Sequence, residues 1–147
     1  MARFTIESVF PAPREQLWSV LKLHTEDDQI GKIHPSILSQ HQLSREGNRW
    51  VSERKIRLLG KNYMTTMAVE MTPPEVYRWE IVASDGLLGP GSYIENRYAE
   101  AANGTKVHST VQMTLKGIPG FLQSWMINRN LSQADDEDLK YLKKMQT

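Results

Sequence analysis

The chain has 147 residues, 24% of them charged, with a formal net charge of +1. One domain over residues 1–147 is expected from that length, large enough to bury about two-thirds of its unfolded surface. Near-neutrality gives no electrostatic footprint for nucleic acid, and the lack of cysteine excludes disulfides and thiolate chemistry. No apolar run approaches a membrane span and none at the start reads as a signal peptide, so a cytoplasmic protein without stable membrane insertion is expected.

Ala2 to Phe10 alternates, with Phe4, Ile6 and Phe10 on one side and Thr5 and Glu7 on the other, as in a strand covered on one face. Pro11 and Pro13 end the pairing, and Leu17, Trp18, Val20 and Leu21 then fall at helical spacing to about Leu23. A second short helix is expected between His24 and Ser39, broken near Gly31 and Pro35. From Gln40 the pattern turns to strands divided by Glu46-Gly47-Asn48, Gly60-Lys61, Pro73-Pro74 and the loop Asp85 to Gly91. Asn103-Gly104 is the strongest hairpin signal. With those two residues as the loop, Tyr98 pairs with Ser109, Asn96 with Val111 and Ile94 with Met113.

The last segment, Gly117 to Met145, reads as a long amphipathic helix. Its apolar residues are Phe121, Leu122, Trp125, Ile127, Leu131, Ala134, Leu139, Leu142 and Met145, taken as one buried stripe. The acidic run Asp135 to Asp138 is read as a solvated face, with Asp136 four residues before Lys140. The predicted class is α+β: a seven-stranded antiparallel, curved sheet wrapped around a long C-terminal helix, with two short helices after the first strand. A gap between such a sheet and its helix is a natural cavity.

In each strand the more apolar parity is assigned to the helix side. It includes Trp50, Arg54, Tyr63, Met67, Tyr77, Trp79, Asn96, Tyr98, Ser109 and Met113. Arg54 is the anomaly, because an arginine in a dry core is costly unless it is paired and hydrogen-bonded. It either turns outward at a bulge, pairs with a carboxylate such as Glu70 or Glu80, or faces a wet cavity. Trp50, Arg54, Tyr63, Met67, Trp79, Asn96, Tyr98, Met113 and Trp125 are the candidate ligand contacts. His34, extended before Pro35, and Tyr98 are the candidate proton carriers. His24 and His41 read as surface positions and His108 as outward-facing; no histidine pair has metal-ligand spacing, so neither a metal nor another cofactor is expected.

Several stretches resemble the START/Bet v 1-like (SRPBCC) superfamily, and within it the polyketide cyclase/dehydrase and lipid-transport-like proteins of helix-grip fold. They are Val9-Phe10-Pro11-Ala12-Pro13-Arg14-Glu15-Gln16-Leu17-Trp18, Thr72-Pro73-Pro74 with Trp79, Gly104-Thr105, Ile33-His34-Pro35 and Asp138-Leu139-Lys140-Tyr141-Leu142-Lys143. The resemblance implies a long apolar cavity under the closing helix, used by relatives to carry lipids, hormones or polyketides and in some members for cyclisation, dehydration or hydrolysis. It implies no shared active-site residue. The expected function is binding of a small hydrophobic or aromatic, lipid- or polyketide-like molecule. The alternatives are a cyclase or dehydratase acting on such a molecule, with Arg54 or a tyrosine stabilising an enolate, or a docking module using Leu87, Leu88 and the basic helix end.

Overall fold

A computed structural model describes residues 2–146. The elements run β1 (Ala2–Phe10), α1 (Arg14–Leu21), a 3-10 turn (Lys22–Thr25), α2 (Ile30–Ile33), then β2 (Ile37–Glu46), β3 (Arg49–Leu58), β4 (Lys61–Thr72), β5 (Val76–Ser84), β6 (Tyr93–Ala101), β7 (Gly104–Met113) and α3 (Gly120–Met145). All seven strands form one antiparallel sheet in the order β1-β7-β6-β5-β4-β3-β2. The sheet is open, curved around α3, and has β1 and β2 at its edges. This is the expected helix-grip architecture.

The parity expected to face the helix is the more buried one on β3, β4, β6 and β7 and on β5 as far as Ile81; Ala83, expected on the same face, is exposed beyond a register shift opposite Thr66 and Met67. Trp50, Ser52 and Arg54 on β3, Thr65, Met67, Val69 and Met71 on β4, and Val107, Ser109, Val111 and Met113 on β7 are all buried. Alternation suffices here because a sheet covered on one face leaves no other way to satisfy its apolar residues.

The β6–β7 hairpin differs from the expected register. Ala101 pairs with Gly104, so the two loop residues are Ala102 and Asn103, and Tyr98 lies opposite Val107, Asn96 opposite Ser109 and Ile94 opposite Val111. The shift is two residues, which preserves the faces. Gly104 (φ +142) is needed elsewhere: a Cβ there would fall 2.1 Å from the Phe10 carbonyl oxygen, where the end of β1 crosses the hairpin. Its glycine identity serves that close approach rather than the turn.

The stripe of α3 also has a different phase at its start. Gln123, Ile127, Asp138 and Leu142 are its buried residues, whereas Phe121 is 82% exposed, Trp125 59% and Met145 47%. The buried stripe runs from Leu142 back through Asp138, Ala134, Leu131, Ile127 and Gln123, and Phe121 and Trp125 lie off it. Gln123 holds its buried place by accepting from the Leu115 amide and donating to the Ile118 carbonyl oxygen, which ties the preceding loop to the helix. The acidic run is therefore not wholly solvated: Asp138 is only 6% exposed.

Two apolar clusters flank the helix. One joins Phe10, α1, the β4–β5 end and Leu142 into a filled core. The other joins Met67, Ile81, Ile94, Val111, Met113 and Ile127 with Leu87 and Leu88. Leu87 and Leu88, expected as an exposed docking loop, are buried, and Leu88 bridges to Leu115. The docking reading loses its apolar loop.

Candidate functional site: a cavity with a buried imidazole and carboxylate cluster

A cavity of about 590 Å³ lies between the concave sheet face and α3. Its walls are mainly apolar, from Met67, Trp79, Ile81, Leu88, Ile94 and Met113, and its polar wall is built by His24, His34, Arg54, Tyr77, Asn96 and Asp138. Leu59, 63% exposed, and Trp125 mark where it opens to solvent.

Of the candidate contacts, Arg54, Met67, Trp79, Asn96, Tyr98, Met113, Trp125 and His34 border this cavity. Trp50 and Tyr63 do not. Trp50 is buried in the filled core, with Arg45 stacked 4.6 Å from its ring and its indole N–H without a partner. Tyr63 is half-buried against the β5–β6 loop. A Cβ on Gly86 would sit 1.8 Å from the Tyr63 ring, so the ring occupies space that only glycine leaves. Both residues have the right parity, but neither reaches the cavity wall.

Arg54 is 7% exposed, and among the described residues no carboxylate pairs with it. It neither turns outward nor meets Glu70 or Glu80. Its Nε donates to Gln40 Oε1 at 2.6 Å and an Nη lies 3.5 Å from the His24 carbonyl oxygen. Burial lowers its pKa from the usual guanidinium range, partly offset by Tyr77 and Asp27. Gln40 in turn spans to the His24 carbonyl and Asp27. The guanidinium is thus held by neutral acceptors at a cavity wall.

His24 corrects the sequence reading most sharply. It is buried, not at the surface, because the 3-10 turn continues the inward face of α1 from Leu17 and Leu21. Its Nε2 lies 2.9 Å from Asp138 Oδ1 and 3.2 Å from His34 Nε2, and its Nδ1 lies 3.2 Å from the Tyr77 hydroxyl. His34, the last residue before Pro35, leaves α2 with φ −120° and ψ 94°, and places its Nε2 3.0 Å from the same Asp138 oxygen. Its Nδ1 meets Glu137 Oε1 at 2.9 Å. Two imidazoles from the α1–β2 segment thus converge on consecutive carboxylates of α3.

The environment separates their acidities. Burial lowers the His24 pKa, and the attraction of Asp138 does not overcome it; His34 and Arg54 push the same way as burial. Burial also acts to lower His34, but Asp138 and Glu137 outweigh it and raise its pKa. For Asp138, burial acts upward, yet the two imidazoles hold the carboxyl down at about 2. Burial raises the Tyr77 hydroxyl and lifts Tyr98 well above the usual phenol range, so both keep their protons near neutrality. Ser109 donates to Asn96 across the β6–β7 pair, leaving the Asn96 amide on the cavity side.

Sequence reasoning missed His24, Asp138, Tyr77 as their partner, and Glu137. The signal for Asp138 was present: it occupies a stripe position between Ala134 and Leu142, where a carboxylate needs partners. For His24 it was the spacing from Leu17 and Leu21.

A family model described as polyketide cyclase/dehydrase and lipid transport matches residues 1–145. The chain belongs to that family. No curated protein sequence matches it. Among solved structures, this family member is similar to the Zhui aromatase/cyclase from Streptomyces sp. R1128, at 15% identity over 99% of this chain and 96% of that one, with a TM-score of 0.78. It is also similar to Ara h 8.0201, at 17% identity over 97% and 98% with a TM-score of 0.77. A START superfamily protein from Mycobacterium smegmatis matches at 12% identity over 97% and 98%, with a TM-score of 0.75. At these identities the likeness is one of fold alone. No helix among the described residues is long and apolar enough to cross a membrane.

Proposed function

We propose that this family member binds one small hydrophobic or aromatic molecule, lipid- or polyketide-like, in the cavity between the sheet and α3. The observation that carries the reading is the cavity's division: an extended apolar wall faces a compact polar one made by Arg54, His24, His34, Asp138 and Asn96. An apolar body with one polar end matches that division, the body against Met67, Ile94 and Met113 and an oxygen toward Arg54. A free guanidinium hydrogen beside neutral acceptors favours a carbonyl or carboxylate at that end. The expected partner is this small molecule, and nucleic acid is not proposed.

The test is a fluorescence titration with 8-anilinonaphthalene-1-sulfonate, whose fused rings and anionic end have the required shape and charge. We expect one saturable site per chain, weakened about tenfold or more by Arg54→Met, which removes a charge-assisted hydrogen bond. Absence of saturation, or equal affinity in the variant, overturns the assigned orientation.

A second reading is favoured by the buried imidazole cluster alone: proton transfer on the bound molecule, as in a cyclase or dehydratase. His34 or Tyr98 would carry the proton, and Arg54 or a tyrosine hydroxyl would stabilise developing negative charge. Under this reading His34→Ala or Tyr98→Phe abolishes turnover while leaving uptake of the ligand in place. Unchanged turnover in both variants removes these proton carriers.

A further inference from the structure

We propose that His24 Nε2, His34 Nε2 and Asp138 Oδ1 form a three-ligand site for one divalent first-row transition ion, with its open positions facing the cavity. The inference goes beyond ligand binding and does not depend on the organic molecule's identity.

The three atoms lie 2.9, 3.0 and 3.2 Å from one another. An ion about 2.1 Å from each would see angles of about 90–100° between them, within the range of distorted tetrahedral or facial octahedral coordination. Ring placement is a separate check. Two imidazoles aiming Nε2 at one such ion have ring centres about 4.9 Å apart, whereas rings aimed straight at each other across this gap have centres about 5.5 Å apart. The observed separation is 4.9 Å. The separation is the one that two rings sharing an ion beside Asp138 would have.

Proton placement points the same way. Glu137 is acceptor-only as a carboxylate, so the contact at His34 Nδ1 is an N–H donated to Glu137, and neutral His34 keeps a bare lone pair on Nε2. The Tyr77 hydroxyl can accept from His24 Nδ1 and bare the Nε2 of that ring as well. In the ion-free protein the Nε2 atoms share protons with Asp138 Oδ1; with both Nδ1 atoms held from outside, releasing those protons turns two lone pairs and a carboxylate oxygen onto one cation. Holding each ligand histidine by its far nitrogen is the arrangement that orients imidazoles on metals.

Charge favours occupancy, since Asp138 and Glu137 outnumber the nearby Arg54. Two nitrogens and one carboxylate suit zinc, iron(II) or cobalt(II) rather than magnesium or calcium, which prefer all-oxygen sets. Because all three ligands border the cavity, an oxygen of a bound molecule or water completes the coordination.

The test uses chelator-treated full-length protein and zinc ions in equilibrium dialysis, followed by X-ray absorption of the zinc-loaded wild type. We expect one zinc per chain with submicromolar affinity and two imidazoles in its coordination sphere. Glu137→Gln weakens binding roughly 10- to 100-fold, and Asp138→Asn and His34→Gln weaken it further. Failure to bind zinc stoichiometrically would mean that the cluster shares protons only, and overturns the proposal. So does binding that survives in His34→Gln, or an absorption spectrum with fewer than two imidazoles. The wild-type spectrum decides the matter even if Asp138→Asn does not fold.

Discussion

The two halves of α3 lie on the same sheet and do different work. Its C-terminal half packs against α1, buries Leu142 among Leu17, Trp18 and Val20, and turns Asp138 onto the imidazoles. Its N-terminal half buries only Gln123 and Ile127, leaves Phe121 and Trp125 in solvent, and forms the rim of the cavity. Aromatic side chains make the difference: Trp18 lies edge-on to Tyr98 with ring centres 5.5 Å apart and fills the space below the C-terminal half. Among the described residues no comparable aromatic pair fills the space under the N-terminal half, where Ile94, Met113 and Met67 line the cavity. The filled half sets stability and polar chemistry, and the open half sets what enters.

The largest effect that would break this division is at the buried carboxylate. Asp138→Ala strands two imidazoles and is expected to cost about 3–5 kcal/mol at neutral pH, read by urea denaturation. A loss below about 1 kcal/mol would mean that the cluster does not anchor the helix. Next is Leu142→Ala, expected to cost about 2–5 kcal/mol through its cavity in the filled half. The same substitution principle applied at the rim gives a contrast. Trp125→Ala should change stability by no more than about 0.5 kcal/mol while altering probe affinity.

The pH dependence sharpens the comparison. Asp138 titrates at about 2 in the folded chain against 3.8 in the unfolded one, so its stabilisation is present above the unfolded value. It is lost as pH falls through the window from about 4 to 2, and amounts to about 2 kcal/mol when complete. The stability gap between wild type and Asp138→Asn should narrow over that window, measured by urea midpoints at stepped pH. A constant gap would contradict the depressed acidity. Arg54→Met is expected to act on binding more than on stability. A buried guanidinium without a carboxylate is expected to be replaced at little cost or with a gain of about 1 kcal/mol, together with lost ligand affinity.

How much of this was legible in the sequence follows from which interactions are periodic. Strand parity was readable because apolar residues at every second position leave one consistent face, and Arg54 stood out on it as an anomaly whose three readings the sequence left open. The hairpin slipped by two because Asn103-Gly104 is a strong turn signal in isolation, while Gly104 is demanded by the Phe10 carbonyl, a contact 94 positions away in the chain. The start of α3 misled because Phe121 and Trp125 are apolar yet exposed, Trp125 at the border of the cavity. His24 and Asp138 are 114 residues apart, and only the closing of α3 onto α1 brings them together. Local spacing carries no trace of such a meeting, though each residue's place on an inward stripe does.

The measurement that tests the central claim most directly is native mass spectrometry of the purified chain, before and after organic extraction and after incubation with excess 8-anilinonaphthalene-1-sulfonate. The account predicts one discrete small-molecule mass per chain, either retained from purification or gained from the probe, and displaced when one ligand competes with the other. A bare chain mass under all three conditions would contradict it.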